Sequence, residues 1–383
     1  MPTSSLTPLK VLIVGGGVAA LEAALALGEF GASSVEITIL APEHEFVYRP
    51  MSVGEPFGYQ TARRYSLDRI ASDIGAELIS DRFKWLDPVT RVVHTEAGEQ
   101  LPYQALLLAL GARLYPRYPH AITIDDARMD EQLHGLIQDI EGGYIHSLAF
   151  VIPSGHAWQL PAYELALMAA ARAYDVSAEL EITLVTPEDA PLAIFGQSAG
   201  AGVEELLEKA GIVTITSAHC EVPEPGKVTI NPGPRHVEAD RVIALPELHG
   251  PSVGGVPTGG HGGFIPTDAY GKVRDLEAVW AAGDATDFAI KHGGIAAQQA
   301  DTAAQAIAAF AGLTSEPAPF HPTIHATLLT GGKPRYLSAH ITGGHGSSSF
   351  ITDAPNTRPP AKIDAKRLAP YLDQLDHAAV SNA

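Results

Sequence analysis

Lys10-Val11-Leu12-Ile13-Val14-Gly15-Gly16-Gly17-Val18-Ala19-Ala20 is the stretch on which the fold turns. A short apolar strand runs straight into a G-x-G-x-x-[GA] turn at Gly15, Gly17 and Ala20. A helical run from Val18 to Phe30 and a second strand from Val35 to Leu40 follow. In that setting the first glycine allows a tight turn and the second lets a pyrophosphate approach the backbone. Small Ala20 permits close helix-to-strand packing, and the helix N-terminus faces the phosphates. The stretch therefore reads as a βαβ unit that binds a dinucleotide.

Working outward, β-rich segments cover Glu77 to Leu86, Val92 to Thr95 and Ala105 to Leu110, before a proline-rich break from Tyr115 to Pro119. A second strand, helix, strand unit runs through Leu148 to Ile152, Pro161 to Tyr174 and Glu181 to Val185. Another helix (Ala201 to Ala210) and strand (Ile212 to Thr216) come after it. Two such halves predict an α/β chain of two doubly wound Rossmann-like domains. The glycine-rich stretch from Gly250 to Gly263 suits a crossover back to the first half, which regains a strand at Ala278 to Ala282 and an alanine-rich helix at Gly294 to Phe310. The expected division is a discontinuous first domain (1–114 and 265–312), a second domain (115–264) and a C-terminal extension (313–383). The extension closes with a predicted helix from Asp364 to Leu375, whose Leu368, Tyr371, Leu372 and Leu375 make one apolar stripe. Such a stripe packs onto the body or a second subunit, so a homodimer stays open. Membrane docking is the weaker alternative, because Asp364, Asp373 and Asp376 share the polar face with Lys366 and Arg367.

Acidic residues number 44 against 25 basic ones, a net charge of −19, which argues against a surface built for nucleic-acid phosphates or anionic lipid. Cys220 is the one cysteine, so the chain forms neither an internal disulfide, a CxxC pair nor a thiolate zinc cluster, and no HxH or HxxH spacing marks a metal site. Redox chemistry then requires a bound cofactor. The polar start from Met1 to Lys10 lacks the pattern of a secretion signal, and no run approaches the length of a membrane span. The expectation is a reduced, cytoplasmic protein.

Other residues suggest contacts with the dinucleotide. Val279 to Ala282 is a short strand ending at Gly283-Asp284, which places a carboxylate at the sheet edge where sugar-like hydroxyls donate to it. Gly293 and Gly294 then open a helix whose positive end would stabilise charge on a ring being reduced. The acidic residue usual at the end of the second strand is missing. Ile39-Leu40 runs into Ala41-Pro42-Glu43, and Glu43 either reaches a ribose from its loop or is a solvated carboxylate.

Gly15 to Ala20, Leu108-Ala109-Leu110-Gly111-Ala112, Ala281-Ala282-Gly283-Asp284 and Lys291-His292-Gly293-Gly294-Ile295-Ala296-Ala297-Gln298-Gln299 together resemble the FAD-dependent pyridine nucleotide-disulfide oxidoreductase superfamily. Phe46-Val47-Tyr48-Arg49-Pro50 narrows the resemblance to its sulfide:quinone reductase and type II NADH dehydrogenase-like branch. The resemblance covers residues 10 to about 312 and implies a flavoprotein oxidoreductase. Gly15, Gly17 and Ala20 would lie at the FAD pyrophosphate, and Asp284, after Gly283, on the ribityl chain. The helix start at Gly294 and Ile295 would meet the flavin pyrimidine edge. Arg49, Ala109 and Gly111 count as further cofactor contacts, with Glu43 as the ribose candidate.

Two departures limit what carries over. Sulfide oxidation in that branch uses a cysteine pair, which Cys220 alone does not supply. The second unit also lacks the glycines of an NAD(P)H site. Read from the strand, the positions hold Pro153, Gly155 and Trp158; read from the helix, they hold Ala157, Gln159 and Ala162. Proline cannot take the positive-φ turn, and Gln159 obstructs a pyrophosphate. Whether NAD(P)H binds is left open. Glu164 matches the relatives' helix glutamate near nicotinamide and flavin, where it would shuttle protons; the alternative is a surface or capping glutamate. His156 and Trp158 are candidates to line a substrate pocket. The resulting expectation is an FAD-dependent enzyme passing electrons from a small-molecule donor to a quinone-like or other acceptor. An NAD(P)H-dependent quinone or dye reductase and a flavin-binding sensor without turnover are the alternatives.

Overall fold

The computed structural model describes residues 7–381 apart from 234, 261, 315, 343–344 and 356–361. Its helices are α1 (Val18–Gly28), α2 (Leu67–Ile74), α3 (Met129–Glu141), α4 (Leu160–Asp175), α5 (Gln197–Lys209), α6 (Gly293–Phe310) and α7 (Leu368–Ser381).

The first strand, Leu9–Val14, sits at the centre of a five-stranded parallel sheet. Across that sheet the order is Val279–Ala281, Ala105–Leu108, Leu9–Val14, Val35–Leu40 and Glu77–Ile79. Both faces are covered, so these strands read as nearly continuous apolar runs. Val11, Ile13, Ile37, Ile39 and Leu107 point to one face, where the alanines of α1 and α6 let two helices lie close against the sheet and each other. Leu12, Val14, Leu40, Leu106 and Leu108 point to the other, beneath Phe83, Leu86 and Val93 of a small antiparallel sheet (Phe83–Asp87, Val92–Thr95, Gln100–Pro102). The alternation follows from the two-residue repeat of a strand.

A second parallel sheet has the order Ile122–Thr123, Arg241–Ala244, Ser147–Val151, Glu181–Val185 and Val213–Ile215. Helices α3, α4 and α5 pack on one face, and an antiparallel sheet (His219–Glu224, Lys227–Asn231, Arg235–Glu238) packs on the other. Two doubly wound units, the first drawn from both ends of this region, are the α/β architecture that the sequence predicts. The glycine-rich stretch after Gly250 is pinned rather than loose: Leu86 N–H donates to Gly254, and a side chain at Gly255 would collide with the Leu86 carbonyl.

The C-terminal part ties the two units together. Three antiparallel strands (Thr323–Leu328, Arg335–Thr342, His345–Thr352) add Ile324, Ala326, Leu328, Leu337 and Ala339 to the core under α4. The chain then returns to the first unit as a strap, residues 362–367, and α7. The closing helix starts at Leu368, the first residue of its apolar stripe, four residues after the expected Asp364. The strap is held by other partners: Ile363 N–H donates to the Tyr48 hydroxyl (2.9 Å), and the Arg367 side chain pairs with Glu29 and Asp301. Glu22, buried within α1, accepts from the N–H groups of Arg367 (2.8 Å) and Leu368 (2.6 Å), so a carboxylate from another helix caps α7. Leu368 and Leu372 are buried in the first core, as the packing reading of the stripe expects. Asp376, expected on an exposed polar face, instead pairs with Arg63 and Tyr65. No helix among the described residues is long and apolar enough to cross a membrane.

Candidate active site at the junction of the two units

A cavity of about 900 Å³ opens where the C-terminal ends of the first sheet's strands meet α4, α6 and the strap. Its size is that of a cofactor site. The glycine turn forms one end. Gly15 has φ +126°, and a side chain there would collide with the Ala109 carbonyl oxygen, whereas a Cβ on Gly17 would meet nothing within 4 Å. Gly17 is the N-cap of α1 and offers no side chain to the first helical N–H groups, which remain available to an anion. Glu43 lines the same end, with a carboxylate oxygen 3.8 Å from where a Gly16 Cβ would lie.

Gly283 takes φ +80° where a Cβ would come 3.1 Å from that of Ala19 and 3.4 Å from that of Ala296. This close approach brings Asp284 to the cavity beside the glycine turn. Among the described residues nothing donates a hydrogen bond to the Asp284 carboxylate, and the enclosing protein pushes it up to about 6, opposed by the charge of Lys291. An under-satisfied carboxylate in a ligand-sized cavity fits a hydroxyl-rich chain. With the open helix terminus, it makes the residues present fit a flavin dinucleotide.

Beyond Asp284 lie Lys291 and His292. The Lys291 ammonium donates to the Thr286 carbonyl and stands 3.7 Å over the Phe264 ring; burial pushes it down to about 8. His292 caps α6, accepting the Gly294 N–H at Nδ1 (3.2 Å), and its ring rests on Trp158 with centroids 4.6 Å apart. Across the cavity, α4 presents Pro161 and Glu164, and the loop before it presents Trp158. Glu164 is 1% exposed, so it is no surface glutamate. Its carboxylate meets the Lys362 ammonium at 2.7 Å and accepts the Leu329 N–H at 2.9 Å, while Lys362 also donates to the Pro50 carbonyl at 2.8 Å. Burial raises the Glu164 carboxyl and lowers the Lys362 ammonium, and each opposes the other's shift.

The structure thus gathers Gly15, Gly17, Glu43, Arg49, Ala109, Gly111, Glu164, Gly283 and Asp284 around one cavity. Four of the sequence candidates lie outside its lining. Ala20 is fully buried, in keeping with a packing role, and Ile295 points into the core. Gly294 spends its N–H on His292, so the start of α6 presents Gly293 and Ala296 to the cavity instead. Arg49 pairs with Asp126 of the second unit at 3.2 Å. His156 packs edge-on against Phe264, away from the cavity lining. Lys362, His292, Asp126 and Tyr48 escape sequence reasoning. Lys362 carries no motif, and only the position of His292 directly before a helix signals a cap.

The second unit shows no open cradle like that at Gly15 and Gly17. Gly155 lies directly under the Glu247 carboxylate, where an added Cβ would clash. Glu188, past the end of the second strand, accepts from Tyr163 (2.7 Å), Thr186 (3.0 Å) and the Ala193 N–H (3.1 Å). Cys220 is buried against Tyr118 in the core of this unit and does not line the cavity.

Two doubly wound units with a dinucleotide cavity at their junction define a two-unit flavoprotein oxidoreductase fold. The pyridine nucleotide-disulphide oxidoreductase family matches residues 9–306, and the chain belongs to that family of FAD-dependent oxidoreductases. It is similar to the sulfide-quinone reductase of Aquifex aeolicus (strain VF5), at 24% identity over 63% of this chain and 59% of that protein, so the match spans less than two thirds of the relative. The solved sulfide:quinone oxidoreductase of Aquifex aeolicus superposes with a TM-score of 0.81 at 19% identity, covering 90% of this chain and 86% of the other. A ferredoxin reductase from Rhodopseudomonas palustris gives 0.64 at 20% identity, covering 87% and 83%.

Proposed function

We propose that the chain passes electrons from a small-molecule donor through FAD to a quinone-like or other acceptor, using neither a redox disulfide nor, as its ordinary donor, NAD(P)H. The observation that carries this reading is the contrast between the two units. The first unit keeps an open glycine turn and an under-satisfied Asp284, while the second covers Gly155 with Glu247 and ties Glu188 to its own side chains.

FAD, when bound, supplies a centre that takes up two electrons and returns them. Gly15, Gly17 and the N-terminus of α1 would hold the pyrophosphate, Glu43 a ribose and Asp284 the ribityl hydroxyls. Arg49, Ala109, Gly111 and Gly283 shape the cavity around them, and Gly293 and Ala296 form the helix edge at the ring end. Ala20, Gly294 and Ile295 support this site through packing. Glu164 and Lys362, sharing one buried hydrogen-bonded pair, hold a proton at the carboxylate or ammonium for exchange with whatever lies beside them. Trp158, Leu160 and Pro161 exclude water on that side.

The first sheet draws its strands from residues 9–108 and 279–281 and the second from 122–244. These strands support a division into 1–114 with 265–312, 115–264, and an extension from 313. We further propose a cytoplasmic setting with no nucleic-acid partner, on the acidic balance of charge.

The direct test is to photoreduce the purified holoenzyme anaerobically and mix it with a short-chain ubiquinone. Rapid return of the flavin absorbance, unchanged by Cys220→Ser, is expected. A reduced enzyme that no quinone reoxidises, or one disabled by Cys220→Ser with the fold intact, would overturn the reading.

A further inference from the structure

His292 combines features that fix both its charge and its direction. Its backbone is extended (φ −151°, ψ 138°) as the N-cap of α6, and its Nδ1 accepts the Gly294 N–H. With that lone pair engaged, the neutral ring carries its proton on Nε2. The ring is 7% exposed, braced by Trp158, and lines the flavin cavity; among the described residues it makes no other hydrogen bond. Nε2–H is thereby left to the contents of the cavity.

Three features around the ring oppose a positive charge on it, and the carboxylates near them, Glu164 and Asp364, are paired with Lys362 and His325. The N-terminus of α6 is the positive end of the helix dipole. Lys362 approaches from the strap and His325 from the strand Thr323–Leu328. Enclosure adds the largest effect, and the imidazole is pushed down to about 3. A second proton would also have to displace the Gly294 N–H.

We propose that His292 is a permanently neutral donor whose Nε2–H is aimed at a carbonyl oxygen in the cavity that gains negative charge as electrons arrive. No bond breaks in this role. The proton stays on Nε2 while the hydrogen bond strengthens with the charge on the oxygen, as for a neutral imidazole at a helix N-terminus that polarises a carbonyl. Both the flavin ring and a quinone acceptor offer such an oxygen. The inference rests on the electron-transfer reading above and adds to it the group that recognises the charge.

The test begins with the wild-type holoenzyme, where no variant has to fold. Nitrogen-15 NMR of labelled histidine, assigned against His292→Gln, should show an unprotonated Nδ1 and a protonated Nε2, without titration between about pH 5 and 9. A proton on Nδ1, or a titration in that range, overturns the proposal.

His292→Phe keeps a flat ring without the donor, and His292→Gln restores an uncharged N–H. If the oxygen belongs to the flavin, Phe lowers the midpoint potential of bound FAD and Gln recovers it. If it belongs to the acceptor, the potential stays while reoxidation of dithionite-reduced enzyme by short-chain ubiquinone slows about 10- to 100-fold, with recovery in Gln. FAD-loaded His292→Phe with both quantities unchanged overturns the proposal. Failure of the quinone to reoxidise wild type would refute the proposed acceptor alone, because the tautomer and the potential are read without it.

Discussion

Lys362 and Glu164, 198 residues apart in the chain, meet 2.7 Å from each other with almost no exposure to solvent, in the lining of the cavity. One partner comes from the strap and the other from α4 of the second unit, and Lys362 also donates to the Pro50 carbonyl of the first, so this lysine fastens the C-terminal part to both units. Removing one member of a buried pair leaves an uncompensated charge and costs about 3–5 kcal/mol. Lys362→Met should therefore lower stability by about that amount in urea unfolding. The double variant Lys362→Met with Glu164→Leu should recover most of it. An unchanged midpoint in the single variant would remove the pair from its structural role.

Asp284 carries two opposed predictions. In the proposed holoenzyme its carboxylate would accept from ribityl hydroxyls, and Asp284→Ala should then loosen FAD by about 1.5–3 kcal/mol, measured by equilibrium fluorescence titration. In the apoprotein the same carboxylate is a burden. Its folded value, raised from 3.8 to about 6, means a favourable contribution complete below pH 3.8 that is lost as pH rises through 6. Apo Asp284→Asn should therefore be more stable than wild type at neutral pH, by at most about 3 kcal/mol, and lose its advantage near pH 4. Equal FAD affinity in wild type and Asp284→Ala would contradict the ribityl assignment.

Glu22 behaves similarly at the start of α7. Burial raises its carboxyl from 4.5 to about 7, opposed by the hydrogen bonds from Leu368 and Arg367. Its stabilising contribution is complete below pH 4.5 and is lost as pH climbs through 7. Glu22→Gln, which keeps one accepting oxygen, should melt close to wild type at pH 5 and above it at pH 8, as thermal scans at the two values would show. A lower melting temperature for Glu22→Gln at pH 8 would contradict this.

The apolar stripe of α7 is spent on the body of the molecule. With Leu368 and Leu372 buried and Asp376 paired to Arg63 and Tyr65, little surface remains to enter a bilayer. The purified chain should stay in the supernatant when spun with anionic liposomes at physiological salt. Quantitative co-sedimentation would require the strap to release.

The two units and the flavin end of the cavity were legible because their signals are local. Gly15 and Gly17 follow directly on the strand they serve, and Gly283-Asp284 ends another. Apolar, alanine-rich runs following strands marked α1, α4 and α6, but the glycines before α6 did not show which helical N–H would be consumed. A histidine at the cap took the one at Gly294, and this shifted the cavity-facing residues to Gly293 and Ala296. The far end of the cavity was illegible for a different reason. Lys362 lies in a polar, proline-rich stretch with no period, and its importance comes only from tertiary contact with Glu164 and Pro50. The start of α7 was placed upstream of its apolar stripe for the same cause: the residues before Leu368 are held in the strap by tertiary hydrogen bonds to Tyr48 and Glu22, which no local pattern announces.

The most direct measurement of the central claim is anaerobic stopped-flow mixing of the FAD-loaded protein with NADH or NADPH. On the proposed reading, with Glu247 over Gly155, Pro153 at the first glycine position when the loop is read from the strand, and Glu188 held by Tyr163, the flavin should bleach slowly or not at all at any concentration of either nucleotide. Bleaching within milliseconds that saturates at micromolar nucleotide would contradict the account and make the chain an NAD(P)H-dependent reductase.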